Sequence, residues 1–380
     1  RMTKEHTVAC YYFPNYHADA RNAATHGPGW SEWELVKRAE PRFAGHRQPR
    51  VPVWGYEDEA DPIAMARKID AAADHAIDAF IFDWYWYDDG PFLQRALDEG
   101  FLGAANNARI KFALMWANHD WTDIHPAALN GVGSRARLLY PGRVSQATVD
   151  TVADHVIKHY FSHPSYWKID GRPYFSIYDL PTFIDGLGGR VQARAALARF
   201  RAKAKDAGFA DLHLNVVLWN LGILAGEQSL PDADALAHDL GFDSVTSYVW
   251  IHHGALDHFP VTDYNVVRDR YMAYWDEAER TFTLPYYPNL TMGWDASPRT
   301  VQSDGFVNAR YPFMPLIEGN TPARFRDALV MIRKRLDTAP AGQRILTINA
   351  WNEWTEGSYL EPDVETGMAY LAAIKEIFGQ

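Results

Sequence analysis

Cysteine is almost absent from this 380-residue chain: Cys10 stands alone. That excludes an internal disulfide framework and any Cys-based zinc site. Cys10 lies inside an apolar run, where a small buried side chain is expected. No apolar run reaches the roughly 18 residues of a membrane span. Lys and Arg total 37 against 48 Asp and Glu, a net charge of −11. Phosphate backbones are bound by clustered cations, so nucleic acid is not an expected partner. No Gly-x-Gly-x-x-Gly follows the first apolar run, which argues against an open dinucleotide-binding sheet. Gly-x-Ser-x-Gly is missing, as is a phosphate-cradling loop. There is no His-x-His either: His252 and His253 are adjacent, and on a strand their side chains would diverge. Neither a metal nor a cofactor is therefore expected. The start, RMTKEH, shows no signal-peptide apolar region. A signal already removed would leave the same start and imply a periplasmic or secreted protein, and otherwise a cytoplasmic one. Oligomeric state is not legible.

Aromatic residues, by contrast, make up 14% of the chain, with 14 Trp and 20 Tyr. Cores use such rings, and so do carbohydrate clefts, where the apolar face of a pyranose stacks on an indole or phenol. At 47% hydrophobic and 22% charged, the composition is that of a globular protein with a sizeable core.

Apolar runs of strand length alternate with helical patterns. The runs are 7–13, 77–86, 111–118, 173–178, 212–220, 244–250, 282–290 and 345–351, the seventh weakened by Pro285 and Pro288. Asp61-Pro62 and Thr321-Pro322 read as N-caps followed by proline at the first helical position. After the second, Phe325, Leu329, Ile332 and Leu336 recur at helical spacing. Eight such units predict a single (β/α)8 TIM barrel spanning 1–380, with no linker. The stretches 30–56 and 120–145 are long loops after the first and third strands.

Chemistry in such a barrel sits where strands end. The sequence RILTINAWNEWTEGSYLEP, from Arg344 to Pro362, is organised accordingly. A buried run gives way to Asn349, Trp351, Asn352, Glu353, Trp354 and Glu356, and Gly357 frees the backbone to turn. Two acids three residues apart at a strand exit suit acid/base work on a sugar. The other strand ends carry an aromatic beside a hydrogen-bonding group. They supply the candidate substrate contacts Tyr12, Asp83, Trp86, Asn118, His119, Trp121, Tyr178, Trp219, Tyr248, Trp250, His252, Trp294 and Asp295. Trp30 and Trp33 from the first loop, and Asn349, Trp351 and Tyr359 near the acid pair, complete the set. At least half of Trp30, Trp33, Trp86, Trp121, Trp250 and Trp294 are expected to line the cleft.

The segment NEWTEG, Asn352 to Gly357, resembles the motif of glycoside hydrolase family 99, the endo-α-mannosidases. NAWNEWTEGSYLEPD is similar, more closely, to the WbsX-like proteins of bacterial polysaccharide gene clusters. GWSEW (Gly29 to Trp33), WANHDWT (Trp116 to Thr122) and MGWDASPR (Met292 to Arg299) match that group as well. The resemblance implies a metal-free retaining glycosidase acting on a polysaccharide or oligosaccharide, with α-linked mannosides or related sugars as the model substrate. It implies Glu356 as the acid/base for the leaving oxygen and Glu353 as the base that draws the proton from the sugar's 2-hydroxyl. The mannosidases have His between the two acids, where this chain has Thr355, a departure that bears on the sugar bound more than on the chemistry. WbsX-like proteins are often labelled glycosyltransferases, which makes assembly of a surface polysaccharide the alternative. A sugar-binding barrel without catalysis is disfavoured by the intact glutamate pair.

Overall fold

The computed structural model describes residues 4–379. Its main sheet is parallel and runs in the order of a closed barrel. The strands are β1 (Thr7–Tyr12), β2 (Ala79–Tyr87), β3 (Lys111–Trp116), β4 (Arg172–Ile177), β5 (His213–Val217) and β6 (Ser244–Thr246), then β7 (Tyr286–Tyr287), β8 (Asn289–Thr291) and β9 (Ile345–Asn349). β7 and β8 are one strand interrupted at Pro288. β7 pairs with β6, while β8 pairs with β9. The interruption is bridged because the carbonyl of Pro288 accepts from the Thr347 N–H at 2.9 Å, and that of Pro285 from Val245 N–H at 2.9 Å. The two prolines that weaken the seventh run thus sit where only their carbonyls are needed. β9 pairs with β1 to close the ring, making this a (β/α)8 TIM barrel.

The strands are short and nearly all buried, as expected when helices cover a parallel sheet from outside. Asp61 caps the helix Pro62–Asp74 by accepting from Ile63 N–H, and Thr321 caps Pro322–Leu336 by accepting from Arg324 N–H. The face predicted for that helix, Phe325, Leu329, Ile332 and Leu336, is buried. Inside the barrel, polar side chains from successive strands satisfy one another. Ser176 donates to Asn215 at 2.8 Å, Asn215 to Ser244 at 2.9 Å, and Asn289 to Thr347 at 3.2 Å. Each would otherwise cost about 1–3 kcal/mol as an unpaired buried group.

The first long loop holds short helices at Ala20–His26 and Trp33–Arg38. The loop after β3 is tied by a small hairpin between Trp121–Thr122 and Leu138–Tyr140. Both wall the C-terminal rim. At the opposite rim, Lys4 and Gly379 border one shared hollow. Among the described residues no helix is long and apolar enough to cross a membrane.

Candidate active site

The segment after β9 is a tight hairpin. Asn352–Glu353 pairs antiparallel with Ser358–Tyr359, and Trp354–Glu356 forms a single 3-10 turn between them. Gly357 closes the turn at φ 64°, where an added Cβ would lie 2.7 Å from both Cβ and N of Asp295. The hairpin is bound on every side. Asn352 donates to the Phe13 carbonyl at 2.8 Å and accepts from Phe13 N–H at 2.7 Å. Trp354 N–H donates to the Tyr16 hydroxyl at 3.1 Å, and its indole N–H to Glu361 at 2.9 Å. Glu361 is paired in turn with buried Lys68 at 2.7 Å. Asp295 N–H donates to the Glu356 carbonyl at 2.6 Å. The two glutamates therefore stand on a fixed backbone at the strand exit, and both are buried.

Arg299 joins them. Its Nη1 lies 3.1 Å from Glu356 Oε2, and its Nη2 lies 3.0 Å from Glu32 Oε2 and 3.5 Å from Glu353 Oε2. The last contact has ion-pair reach without hydrogen-bond geometry, so Glu353 Oε2 is left without a hydrogen-bond partner. The Tyr311 hydroxyl accepts from Arg299 Nη1 at 2.5 Å and donates to Glu356 Oε2 at 2.6 Å. On the other side the Tyr248 hydroxyl lies 2.8 Å from Asp83 Oδ2 and 3.3 Å from Glu353 Oε1, able to donate to one at a time. The Arg299 guanidinium also stands 5.2 Å above the Phe13 ring.

These surroundings set the charges. Burial pushes Glu353 well above the usual carboxylate range, the neighbouring Glu356 adds to the rise, and Arg299 only partly offsets it. Burial raises Glu356 too, but Arg299 and the Tyr311 hydroxyl pull it back. Burial alone would also raise Glu32. Arg299, His125 and Thr355 outweigh it and bring Glu32 down to about 2. Asp83 is raised well above its usual range by burial, against the Tyr248 hydroxyl.

The pair opens into a cleft at the C-terminal rim. Asp83, His119, Trp121, Tyr178, Tyr248, His252 and Trp294 line it with Glu353 and Glu356. His252 and His253 do diverge: His253 stacks on Tyr274 at 3.6 Å, away from the cleft. Glu227 shapes one wall, accepting from Ile223 and Leu224 N–H at 2.7 and 3.0 Å and from the Tyr178 hydroxyl at 2.5 Å.

Other expected contacts are not brought to the cleft. The Tyr12 hydroxyl donates to buried Glu59 at 2.7 Å. Trp30 stacks on His26 at 4.0 Å. Trp33 packs on Tyr16 and donates to the Glu57 carbonyl at 2.8 Å. Trp86 lies on Trp84 and His155, and Trp250 on Tyr264 and Tyr271 with its N–H given to Asn289. Asn118 spends both ends of its amide on the Asp179 backbone. Trp219 packs behind Tyr178 and His252. Asp295 is held by His46 at 2.8 Å and Gln48 at 3.0 Å. Asn349 and Trp351 are wholly buried, and Tyr359 stacks on Trp354 while donating to Asp363. Of the six tryptophans singled out as stacking candidates, Trp121 and Trp294 alone line the cleft, so the expectation of half fails. Most of the aromatic excess is core.

Phe13, Tyr85, His125, Arg299 and Tyr311 line the cleft without having been singled out, and Glu32 stands just behind it. Two of these were within reach. Glu32 is the one charged residue of GWSEW, and Arg299 is one of two, with Asp295, in MGWDASPR. In a barrel of paired acids, the charged member of such a motif carries more chemical information than its tryptophans. Among the described residues no group of three or more His, Cys, Asp or Glu is arranged to hold a metal ion.

The same barrel fold occurs in solved glycoside hydrolases. The endo-α-mannosidase of glycoside hydrolase family 99 from Bacteroides thetaiotaomicron superimposes with a TM-score of 0.61 at 14% identity, covering 98% of this chain and 97% of that one. A glycoside hydrolase-like protein gives 0.63 at 15%, covering 100% and 95%. The chain itself belongs to the WbsX glycosyltransferase family, whose model matches residues 8–374. It is 28% identical over 387 residues to the uncharacterized protein WxcX of Xanthomonas campestris pv. campestris, with 97% of this chain aligned. The chain spans about half, 49%, of the length of that relative.

Proposed function

We propose that this chain is one catalytic barrel domain and a retaining glycosidase of oligo- or polysaccharides, with Glu353 and Glu356 as its catalytic pair. The observation that carries the reading is the enclosure of two buried carboxylates around one guanidinium, with burial holding both above the usual carboxylate range. In the first half-reaction Glu353 takes the proton of the sugar's 2-hydroxyl while O2 attacks C1. The bond from C1 to the leaving oxygen breaks, and Glu356 gives that oxygen its proton. In the second half water attacks C1 and opens the 1,2-anhydro ring. Glu356 then receives the water's proton and Glu353 returns its own to O2. An α-mannoside or a related sugar is the model substrate, since the mannosidase from Bacteroides thetaiotaomicron shares the fold.

The family's description points to sugar transfer instead. Within the cleft, among the described residues, the one arginine is Arg299, already engaged by Glu32 and Glu356, and no lysine lines it. A diphosphate donor would find no free cation there. Incubating the protein with an oligosaccharide panel, with and without nucleotide-sugar donors, separates the readings by mass spectrometry. Cleavage without donor is expected. Product formed only when donor is present would overturn hydrolysis.

A further inference from the structure

Outside the cleft, a second groove runs over the rim. Asp120, Thr122, Gly133, Ala136 and Ala225 line both, so the two are continuous. The groove adds two arginines, Arg135 and Arg310. Their neighbours on the same loops are neutralised: Arg137 pairs with Asp123 at 2.9 Å and Arg143 with Asp185 at 3.2 Å. Among the described residues, Arg135 and Arg310 form no ion pair and no side-chain hydrogen bond, on a chain whose net charge is −11. Arg310 is also positioned. Its stem lies across Gly133, whose notional Cβ would be 2.8 Å from Arg310 Cδ. It directly precedes Tyr311, whose hydroxyl donates to Glu356.

We propose that this rim groove is a subsite for an anionic group, namely a carboxylate on the glycan unit next to the one held in the cleft. The inference rests on the glycosidase reading of the cleft. Two uncommitted guanidinium forks present the donors a carboxylate binds. At the boundary between cleft and groove stands the Asp120 carboxylate, which disfavours an acidic unit inside the cleft. The preferred glycan therefore alternates: a neutral sugar at the reacting position and an acidic one beside it. A phosphate offers the same oxyanion chemistry, and the test distinguishes the two sources.

The test is direct binding, independent of turnover. Titration calorimetry of the full chain compares a uronic-acid oligosaccharide, its carboxyl-reduced counterpart and a nucleoside diphosphate. The acidic oligosaccharide should bind at least tenfold more tightly than the reduced one. Arg310→Glu should erase the difference, whereas Arg137→Ala, at a paired rim arginine, should keep it. Arg135→Gln provides a milder second variant, and circular dichroism checks that each is folded. Equal binding of the two oligosaccharides, or a preference untouched by both Arg310→Glu and Arg135→Gln, would overturn the subsite. Arginine-dependent binding of the diphosphate without the acidic glycan would overturn the carboxylate and assign the anion to an activated donor. Loss of the subsite would leave hydrolysis of neutral glycans intact. Failure of the glycosidase reading would instead appear as no cleavage of any oligosaccharide without a nucleotide-sugar donor, whatever the arginine variants bind.

Discussion

The hydroxyl of Thr355 donates to Glu32 Oε2 at 2.7 Å, linking the residue between the two glutamates to a loop 323 positions earlier in the chain. The same carboxylate oxygen accepts from Arg299 at 3.0 Å. Glu32 thus controls both the backbone that presents the pair and the cation that balances it.

Replacing Glu32 should therefore move the pH profile. Arg299, His125, Thr355 and Asn15 contact Glu32, and the Tyr16 phenol, Glu353, Glu356 and Tyr311 surround that group. Its negative charge helps raise both Glu353 and Glu356. In Glu32→Gln that contribution vanishes and Arg299 acts on the pair unopposed. The limb of the rate profile set by loss of the pair's proton should shift to lower pH, by about one unit or more. An unchanged limb, measured well below the melting temperature, would contradict this role.

Each of Glu353→Gln and Glu356→Gln should lower turnover by about 10² to 10⁴-fold with the fold intact. An activated aryl leaving group needs little protonation, so it should rescue the variant lacking the acid and not the other. Rescue of Glu356→Gln supports the roles proposed above, and rescue of Glu353→Gln exchanges them. A substrate without its 2-hydroxyl should fail with the unaltered enzyme, and normal turnover of it would exclude the anhydro route.

Stability should fall on both sides of an intermediate pH. Glu32 and Asp295 are each brought down to about 2, so the stability they contribute is present above the unfolded carboxylate range and lost as pH drops toward 2. Glu353 and Asp83 are raised, so the native state holds extra protons and loses stability as pH climbs through their raised values. Melting curves from acid to alkaline pH should show this maximum, and Glu353→Gln should flatten its alkaline side.

Gly357→Ala should destabilise the chain by about 1–3 kcal/mol and disturb activity beyond that loss, because the backbone sits at φ 64° and Asp295 leaves no room for a Cβ. Wild-type kinetics would show that the hairpin tolerates movement.

Activity is expected to survive prolonged EDTA treatment. Loss on chelation, restored by a divalent ion, would defeat a mechanism built on carboxylates alone.

The barrel was legible because its strands are continuous apolar runs and its helix starts carry Asp-Pro and Thr-Pro. Strand ends were less so. The sixth run reads to Trp250, yet β6 stops at Thr246, since Trp250 begins a 3-10 turn that the apolar pattern does not distinguish. Glu353 and Glu356 stood out by spacing. Trp33, Trp250 and Trp351 misled because a tryptophan near a strand end serves the core and a cleft equally well by composition. Arg299 escaped notice because its value comes from three acids that meet only in the folded chain.

The hollow shared by Lys4 and Gly379 has a practical corollary. Both ends of the described chain emerge at the face opposite the glutamates, so polypeptide joined to either end departs from behind the reaction centre. The barrel can be tethered to a surface, a tag or a second protein by either end with the mouth of its cleft still open.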